Sequence, residues 1–414
     1  MKIAMATEYF WPHDLGGSEW STYYLAKELT KQRHKVIIIT PNYGSKSNEI
    51  WSKLEVFRFP FFKKIKGNIA ISPFWHTNII WIILTTFYLI KVCRQQKVDV
   101  LHIQGKYYSP AGFFVKIILG IPVILTARDF QIVCNYGFCL WNKNKACNLR
   151  EYFSKDFPQY LNNYVNKITP WIFLINVIFA IRARLIRNVY KFFAKRQSAI
   201  VCISKFQGKI LKENGFSNIK VIYNSMEFKS YRKVKKQNYI LFAGRLTPGK
   251  GSQFLFEALP AFLKKFTNFK IIVVGEGFLK KKLKKIAQES GFLSQINFLG
   301  KTDHKNLMKF FSRASLTIIP SLWQEPFGRV ALESISYGTP VVVTNRGGLP
   351  EIIGKLKIGL VSDTNPQNLS SNLIEAIERN NYFQTNIQKN FSKLKQKFQI
   401  ENTQKYINLY KSLL

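Results

Sequence analysis

Short apolar runs recur along this chain, each closed by turn residues and followed by a stretch with helical spacing. Ile3 to Thr7, Val36 to Thr40, Asp99 to Ile103, Val123 to Thr126, Ala199 to Ser204 and Lys220 to Tyr223 read as strands, and Trp20 to Gln32 reads as the first helix between them. The K-K-Q-N run at 235–238 reads as a polar linker. A second series follows it, with strands at Tyr239 to Ala243, Lys270 to Val274, Ile296 to Leu299, Leu316 to Ile319, Val341 to Thr344 and Gly359 to Ser362. Strands alternating with helices predict parallel, doubly wound sheets. Two such series in 414 residues predict an α/β protein of two Rossmann-like domains facing across a cleft, where ligands of open α/β sheets bind.

Three stretches depart from this rhythm. Asn78 to Val92 is strongly apolar and carries three aromatics. It is shorter than the roughly 20 residues that span a bilayer, which leaves a helix buried against the first sheet or dipping into a membrane surface. Residues 130 to 170 form an insert without clear periodicity, and a loop of that length is usually functional or mobile. Trp171 to Phe193 alternates apolar blocks with Arg182, Arg184, Arg187 and Lys191, giving a helix with apolar residues on one side and cations on the other. Such a helix either lies at a membrane interface or packs in the core with a solvated basic face.

Charge narrows the partners. The chain has 62 Lys and Arg against 23 Asp and Glu, a net +39, which implies an anionic partner: nucleic acid, anionic lipid or phosphorylated substrates. No recognition module accompanies the charge and the basic residues are scattered, so no nucleic-acid partner is expected. The opening M-K-I-A-M-A-T-E-Y-F is too short an apolar run for a signal peptide, and the five cysteines are an odd count, which points to a reducing cytoplasm. Cys134, Cys139 and Cys147 cluster in the insert as C-x4-C-x7-C. Three thiolates can hold zinc with a fourth ligand from elsewhere, but neither spacing is the tight C-x2-C knuckle, so the expectation is against a metal there.

The stretch richest in chemistry runs from Pro320 to Glu351, P-S-L-W-Q-E-P-F-G-R-V-A-L-E-S-I-S-Y-G-T-P-V-V-V-T-N-R-G-G-L-P-E. Trp323 to Gly328 is a turn-rich loop, and Arg329 to Ser336 has helical spacing with Ala331, Leu332 and Ile335 facing inward. Gly338 ends that helix and Pro340 prevents its continuation. Glu325 therefore lies on the loop, and Glu333 lies inside the helix. The free N–H groups and positive dipole end near Phe327 and Gly328 face the occupant of the loop. Two carboxylates beside such a helix start suit a ligand that is part sugar and part phosphate. Gly244-Arg245-Leu246-Thr247-Pro248-Gly249-Lys250-Gly251 follows the first strand of the second domain, where Arg245 offers a bidentate fork to phosphate and Lys250 a compact charge. This loop is neither Walker A nor G-x-G-x-x-G, so ATPase and dehydrogenase motifs are absent.

Glu325 and Glu333, framed by Pro-Phe-Gly, Gly-Thr-Pro and Gly-Gly-Leu-Pro-Glu, resemble the donor-site motif of glycosyltransferase family four, the retaining nucleotide-sugar transferases of the GT-B fold. The resemblance implies transfer of a hexose from a nucleotide diphosphate sugar to a glycan or lipid-linked acceptor in cell-surface polysaccharide or glycolipid synthesis, without a cofactor or a metal. It assigns Arg245 and Lys250 to the donor diphosphate, Glu333 to the ribose and Glu325 to the transferred sugar, and it sets Gly16 and Gly17 over the donor phosphate. It divides the chain into an acceptor-binding domain at 1–222 with an insert at about 130–195, a donor domain at 223–396, and a segment at 397–414 that packs back on the first domain. Retention in this family is ascribed to same-face attack. Arg128 stands where many relatives carry His, a permanent cation in place of a ring, and it can steady phosphate. The same departure supports a competing reading, a catalytically impaired nucleotide-sugar-binding protein of this fold. Net charge and the two apolar helices together predict peripheral attachment to an anionic membrane on its cytoplasmic face.

Overall fold

The computed structural model describes the chain except for residues 15, 62, 66–70, 138–144, 166–167 and 232–233. It divides into two compact units, Met1–Met226 with Phe398–Leu414, and Glu227–Lys397. The chain thus leaves the first unit at Met226 and re-enters it at Phe398.

The first unit is built on an eight-stranded sheet in the order β3-β4-β2-β1-β5-β6-β7-β8. Its strands and helices follow the chain as β1 (Lys2–Thr7), α1 (Gly17–Lys31), β2 (Lys35–Asn42), β3 (Asn48–Trp51), β4 (Leu54–Pro60), α2 (Ile79–Gln95), β5 (Val100–Gln104), α3 (Ser109–Leu119) and β6 (Val123–Ala127). They continue through α4 (Phe157–Tyr164), α5 (Pro170–Ala194), β7 (Ala199–Cys202), α6 (Lys205–Glu213) and β8 (Ile219–Val221). The central strands are buried on both faces, which is why they are unbroken runs of Ile, Val and Leu rather than alternating patterns. One face is covered by α2, α3, α5 and α6 through Leu89, Val115, Ala180 and Ile210. The other is covered by α1 and the C-terminal helix Glu401–Lys411, through Leu25, Leu29, Tyr406 and Tyr410. Tyr410 Oη lies 2.8 Å from His102 Nδ1 on β5, so this last helix is tied to the sheet by a polar contact as well as by packing.

Three readings are corrected here. The hairpin β3–β4, antiparallel and at the sheet edge, escaped the sequence pattern. Its turn is made by Ser52 and Lys53, both with positive φ (50° and 69°), so the usual Asn-Gly signal is missing. The insert is not structureless: a π-helical turn at Tyr152–Asp156 leads into α4, and Tyr152, Phe157 and Leu161 enter the core. Finally, α5 is amphipathic as expected, but its cations do not form a solvated face. Arg182 donates to Thr77 O (3.0 Å), Arg187 donates to Val133 O (3.0 Å), and Arg184 stacks on Tyr152 with its guanidinium 5.4 Å from the ring centre. The carbonyls and rings of the insert and of the turn before α2 hold the guanidiniums inward, so the apolar stripe is what remains outside. Trp171, Leu174, Ile178, Ile181, Leu185 and Phe192 are exposed at helical spacing, Trp171 by 69% and Leu185 by 61%. Ile79, Ile83 and Phe87 of α2 and Ile117 of α3 are exposed too, and α3 packs against both α2 and α5.

The second unit has a six-stranded parallel sheet in the order β11-β10-β9-β12-β13-β14. The order of elements is β9 (Gln237–Ala243), α7 (Ser252–Lys265), β10 (Lys270–Val274), α8 (Lys280–Glu289), β11 (Ile296–Gly300), α9 (His304–Arg313), β12 (Ala314–Ile319) and α10 (Arg329–Ser336). It then continues with β13 (Val341–Thr344), α11 (Leu349–Ile353), β14 (Gly359–Ser362), α12 (Pro366–Glu378) and α13 (Asn380–Lys395). Residues 235–238 are not a linker, because Gln237 and Asn238 open β9. Lys236 just before them is drawn inward, where its ammonium donates to Ser312 O (2.9 Å) and burial pulls its pKa down to about 8. In each sheet the winding reverses once, between β1 and β5 in the first and between β9 and β12 in the second. Such reversals open a crevice at the carboxyl ends of the strands.

Candidate active site

In the second unit two loops leave the carboxyl ends of β9 and β12, on the two sides of the reversal. They are locked together through their backbones. Leu322 N and Trp323 N both donate to Gly249 O, at 3.0 and 3.1 Å. Gly251 has φ of +67°, and a Cβ there would fall 1.7 Å from Pro320 O, so only glycine allows the approach. The locking carries Lys250 to Glu325. The ammonium lies 2.5 Å from Glu325 Oε1, which also accepts from Ser321 Oγ (2.7 Å) and Trp323 Nε1 (2.8 Å). Trp323 also lies beneath the lysine, with Nζ 4.8 Å from its ring centre. Burial alone would raise the Glu325 pKa, but the lysine and the three donated bonds outweigh it and hold the carboxyl below its ordinary value.

The Gly-Gly pair at 347–348 supports this glutamate from behind. Gly348 N donates to Glu325 O at 2.8 Å, and a Cβ on Gly347 would meet the same oxygen at 2.1 Å. Gly328 begins α10 with φ of +99° where a side chain would strike Leu349. One turn into α10, Glu333 pairs with Arg329 Nε at 2.7 Å and lies 3.6 Å from His304 Nε2, at the start of α9. Burial pushes this carboxyl up, Arg329 and His304 push it down, and the net shift is downward. Arg329 and His304 were not singled out from sequence; the i,i+4 spacing of Arg329 and Glu333 was the available signal for the first. Phe327 is buried, so only its backbone is available to a ligand. Arg245 is exposed on its loop.

Gly16, Gly17 and Arg128 belong to the first unit. Gly16 caps α1, and its N–H donates to Glu19 Oε2 (2.9 Å), a carboxyl whose pKa burial raises to about 7. Gly17 is the first residue of that helix. Arg128, at the end of β6, donates to Asn224 Oδ1 (2.6 Å), Thr22 Oγ1 (3.2 Å) and Gln104 Oε1. The reading from sequence missed Glu8, which follows β1 directly at the reversal. Loss of solvent, then the nearby charge of Asp129, raises its pKa to about 8, and Lys106 opposes the shift. A carboxyl that is protonated at neutral pH can donate a hydrogen bond as well as accept one.

Residues 15–228 match the family described as Glycosyltransferase Family 4, and residues 225–398 match Glycosyl transferases group 1. The chain belongs to glycosyltransferase family four. An uncharacterized glycosyltransferase of Methanocaldococcus jannaschii is 27% identical over 380 residues, covering 85% of this chain and 83% of the relative. The GPI3 subunit of the Saccharomyces cerevisiae phosphatidylinositol N-acetylglucosaminyltransferase is 22% identical over 370 residues, covering 85% of this chain and 69% of that protein. Among solved structures, Anabaena HepE in complex with UDP and glucose shares the fold with a TM-score of 0.68 at 18% identity, each chain being covered in full. The two locked loops of the second unit lie within the residues that match Glycosyl transferases group 1.

Proposed function

We propose that this glycosyltransferase moves a hexose from a nucleoside diphosphate sugar, with retention at the anomeric carbon, to a lipid-carried acceptor or a glycan. The observation that carries this reading is the loop pair at the β9/β12 reversal, with Arg245 exposed, Lys250 held by a buried carboxylate, and Glu333 on the adjoining helix. Cleavage of the anomeric C–O bond leaves its electron pair on the diphosphate. Two cations set at that oxygen stabilise the developing charge, an effect worth several kcal/mol in a preorganised site and one that needs no metal. Arg245 and Lys250 take that role, Glu333 binds ribose hydroxyls, and Glu325 orients both Lys250 and the sugar. HepE, of the same fold, is described with UDP and glucose. A panel of nucleotide sugars tests the reading by thermal stabilisation of the full chain. A donor at 100 times its Kd adds about 2.7 kcal/mol. No response to any nucleoside diphosphate sugar, in protein that is folded, overturns it.

The acceptor side rests on a different observation, the apolar face shared by α2, α3 and α5. No described helix is long and apolar enough to cross a membrane. An exposed apolar stripe in a chain of net charge +39, with Lys91 and Arg94 exposed beyond the stripe of α2, fits the surface of an anionic bilayer. The GPI3 relative, a subunit of a phosphatidylinositol N-acetylglucosaminyltransferase, agrees with a lipid acceptor. We infer peripheral attachment on the cytoplasmic side. Because Arg182 and Arg187 bond inward, the variants to test are Phe87→Ser, Ile178→Gln and Leu185→Gln. Sedimentation with anionic vesicles is expected for the wild type and lost in the triple variant; a wild-type chain that stays in the supernatant at low salt overturns the attachment.

A further inference from the structure

The insert holds a cluster that the transfer reaction does not use. Cys134 follows β6 in a short turn, Cys147 lies beyond the undescribed residues 138–144, and Asp156 ends the π-helical turn. All three side chains are buried, and their Sγ and carboxylate oxygen atoms lie within 4.8 Å of one another. Both sulfurs address the same oxygen: Asp156 Oδ2 is 3.5 Å from Cys134 Sγ and 3.4 Å from Cys147 Sγ. In tetrahedral zinc, with Zn–S near 2.3 Å and Zn–O near 2.0 Å, the sulfur and oxygen ligands stand about 3.5 Å apart.

We propose that Cys134, Cys147 and Asp156 bind a zinc ion that pins the insert to the first unit. Hydrogen-bond donors approach both sulfurs. Gly137 N points at Cys134 Sγ at 3.2 Å, from a turn in which Gly137 takes φ of +77°. Arg184 Nη1 lies 4.0 Å from Cys147 Sγ and 3.5 Å from Cys147 O, and Arg187 bonds the carbonyl of Val133 beside Cys134. Two thiolates with one carboxylate select zinc over magnesium or calcium. Sequence spacing marked Cys134 and Cys147 but spoke against a metal, because the third ligand is an aspartate on another turn. Cys139 lies outside the described residues and has no part in the argument.

The test is metal analysis of the full chain purified without chelator, with cobalt(II) exchanged for the native ion. One zinc per chain is expected, together with cobalt d–d bands of tetrahedral intensity and a thiolate-to-cobalt charge-transfer band. Cys134→Ser and Asp156→Asn should each lose the metal, while Cys93→Ser, a buried cysteine of α2, should keep it. Should the ligand variants fail to fold, the cobalt spectrum of the wild type decides alone. Substoichiometric zinc with both thiols free, cobalt bands without the charge-transfer feature, or a Cys134–Cys147 disulfide in the native protein would each overturn the proposal.

Discussion

Lys250→Ala separates what the lysine does for the fold from what it does for the donor. The substitution leaves Glu325, whose side chain is 8% exposed, as a buried carboxylate without its cation. Breaking a buried pair from one side costs about 3–5 kcal/mol; the lysine is 24% exposed, so water offsets part of this and about 2–3 kcal/mol is expected. For a unit of this size that is a fall in Tm of roughly 5–10 °C. The double variant Lys250→Ala/Glu325→Gln should recover more than half of the loss, since the amide oxygen still accepts from Ser321 and Trp323 and no charge is buried. The sign with pH is also set. Without the lysine, burial raises the carboxyl above its unfolded value, so the proton it then gains supports the fold at low pH and that support is lost as pH rises. The deficit of the single variant should therefore be smaller near pH 5 than near pH 8. Thermal melts followed by tryptophan fluorescence at both pH values measure this. A single variant that melts with the wild type, or a double variant that melts below the single, would refute the reasoning.

Arg245→Ala should leave Tm unchanged, because the side chain is exposed, and should cut turnover on the order of 10²–10³-fold if it holds transition-state charge; full activity would remove the phosphate clamp. Glu333→Gln should weaken binding of the free nucleoside diphosphate, and calorimetry giving equal Kd values for variant and wild type would withdraw the ribose assignment. Glu8, with its pKa raised to about 8, contributes stability that is fully present below about pH 4.5 and is lost as pH rises through about 8. Glu8→Gln should therefore gain Tm relative to wild type between pH 5 and pH 8.5, and parallel melting profiles would show that Glu8 ionises normally.

The sequence by itself determined the two series of parallel strands, because a strand buried on both faces leaves an apolar run that any reader can find. It also located Glu325, Glu333, Gly328 and the Gly-Gly pair, because a loop-to-helix turn demands particular residue types in a short window. Tertiary structure decided the rest, for a common reason: periodicity shows that an element has two unlike faces but not which neighbour covers each. Helix α5 was legible as amphipathic, yet only the carbonyls of Thr77 and Val133 and the ring of Tyr152 turned its arginines inward and its apolar stripe out. Lys236 read as linker because a lysine in a polar run is normally solvated, and its acceptors at Ser312 and Thr339 lie 76 and 103 residues away. The Lys250–Glu325 pair spans 75 residues, and it exists because Gly249 and Gly251 let one loop backbone touch the other. Asp156 joined the two cysteines only when the chain folded, since a ligand set drawn from separate turns has no spacing to read.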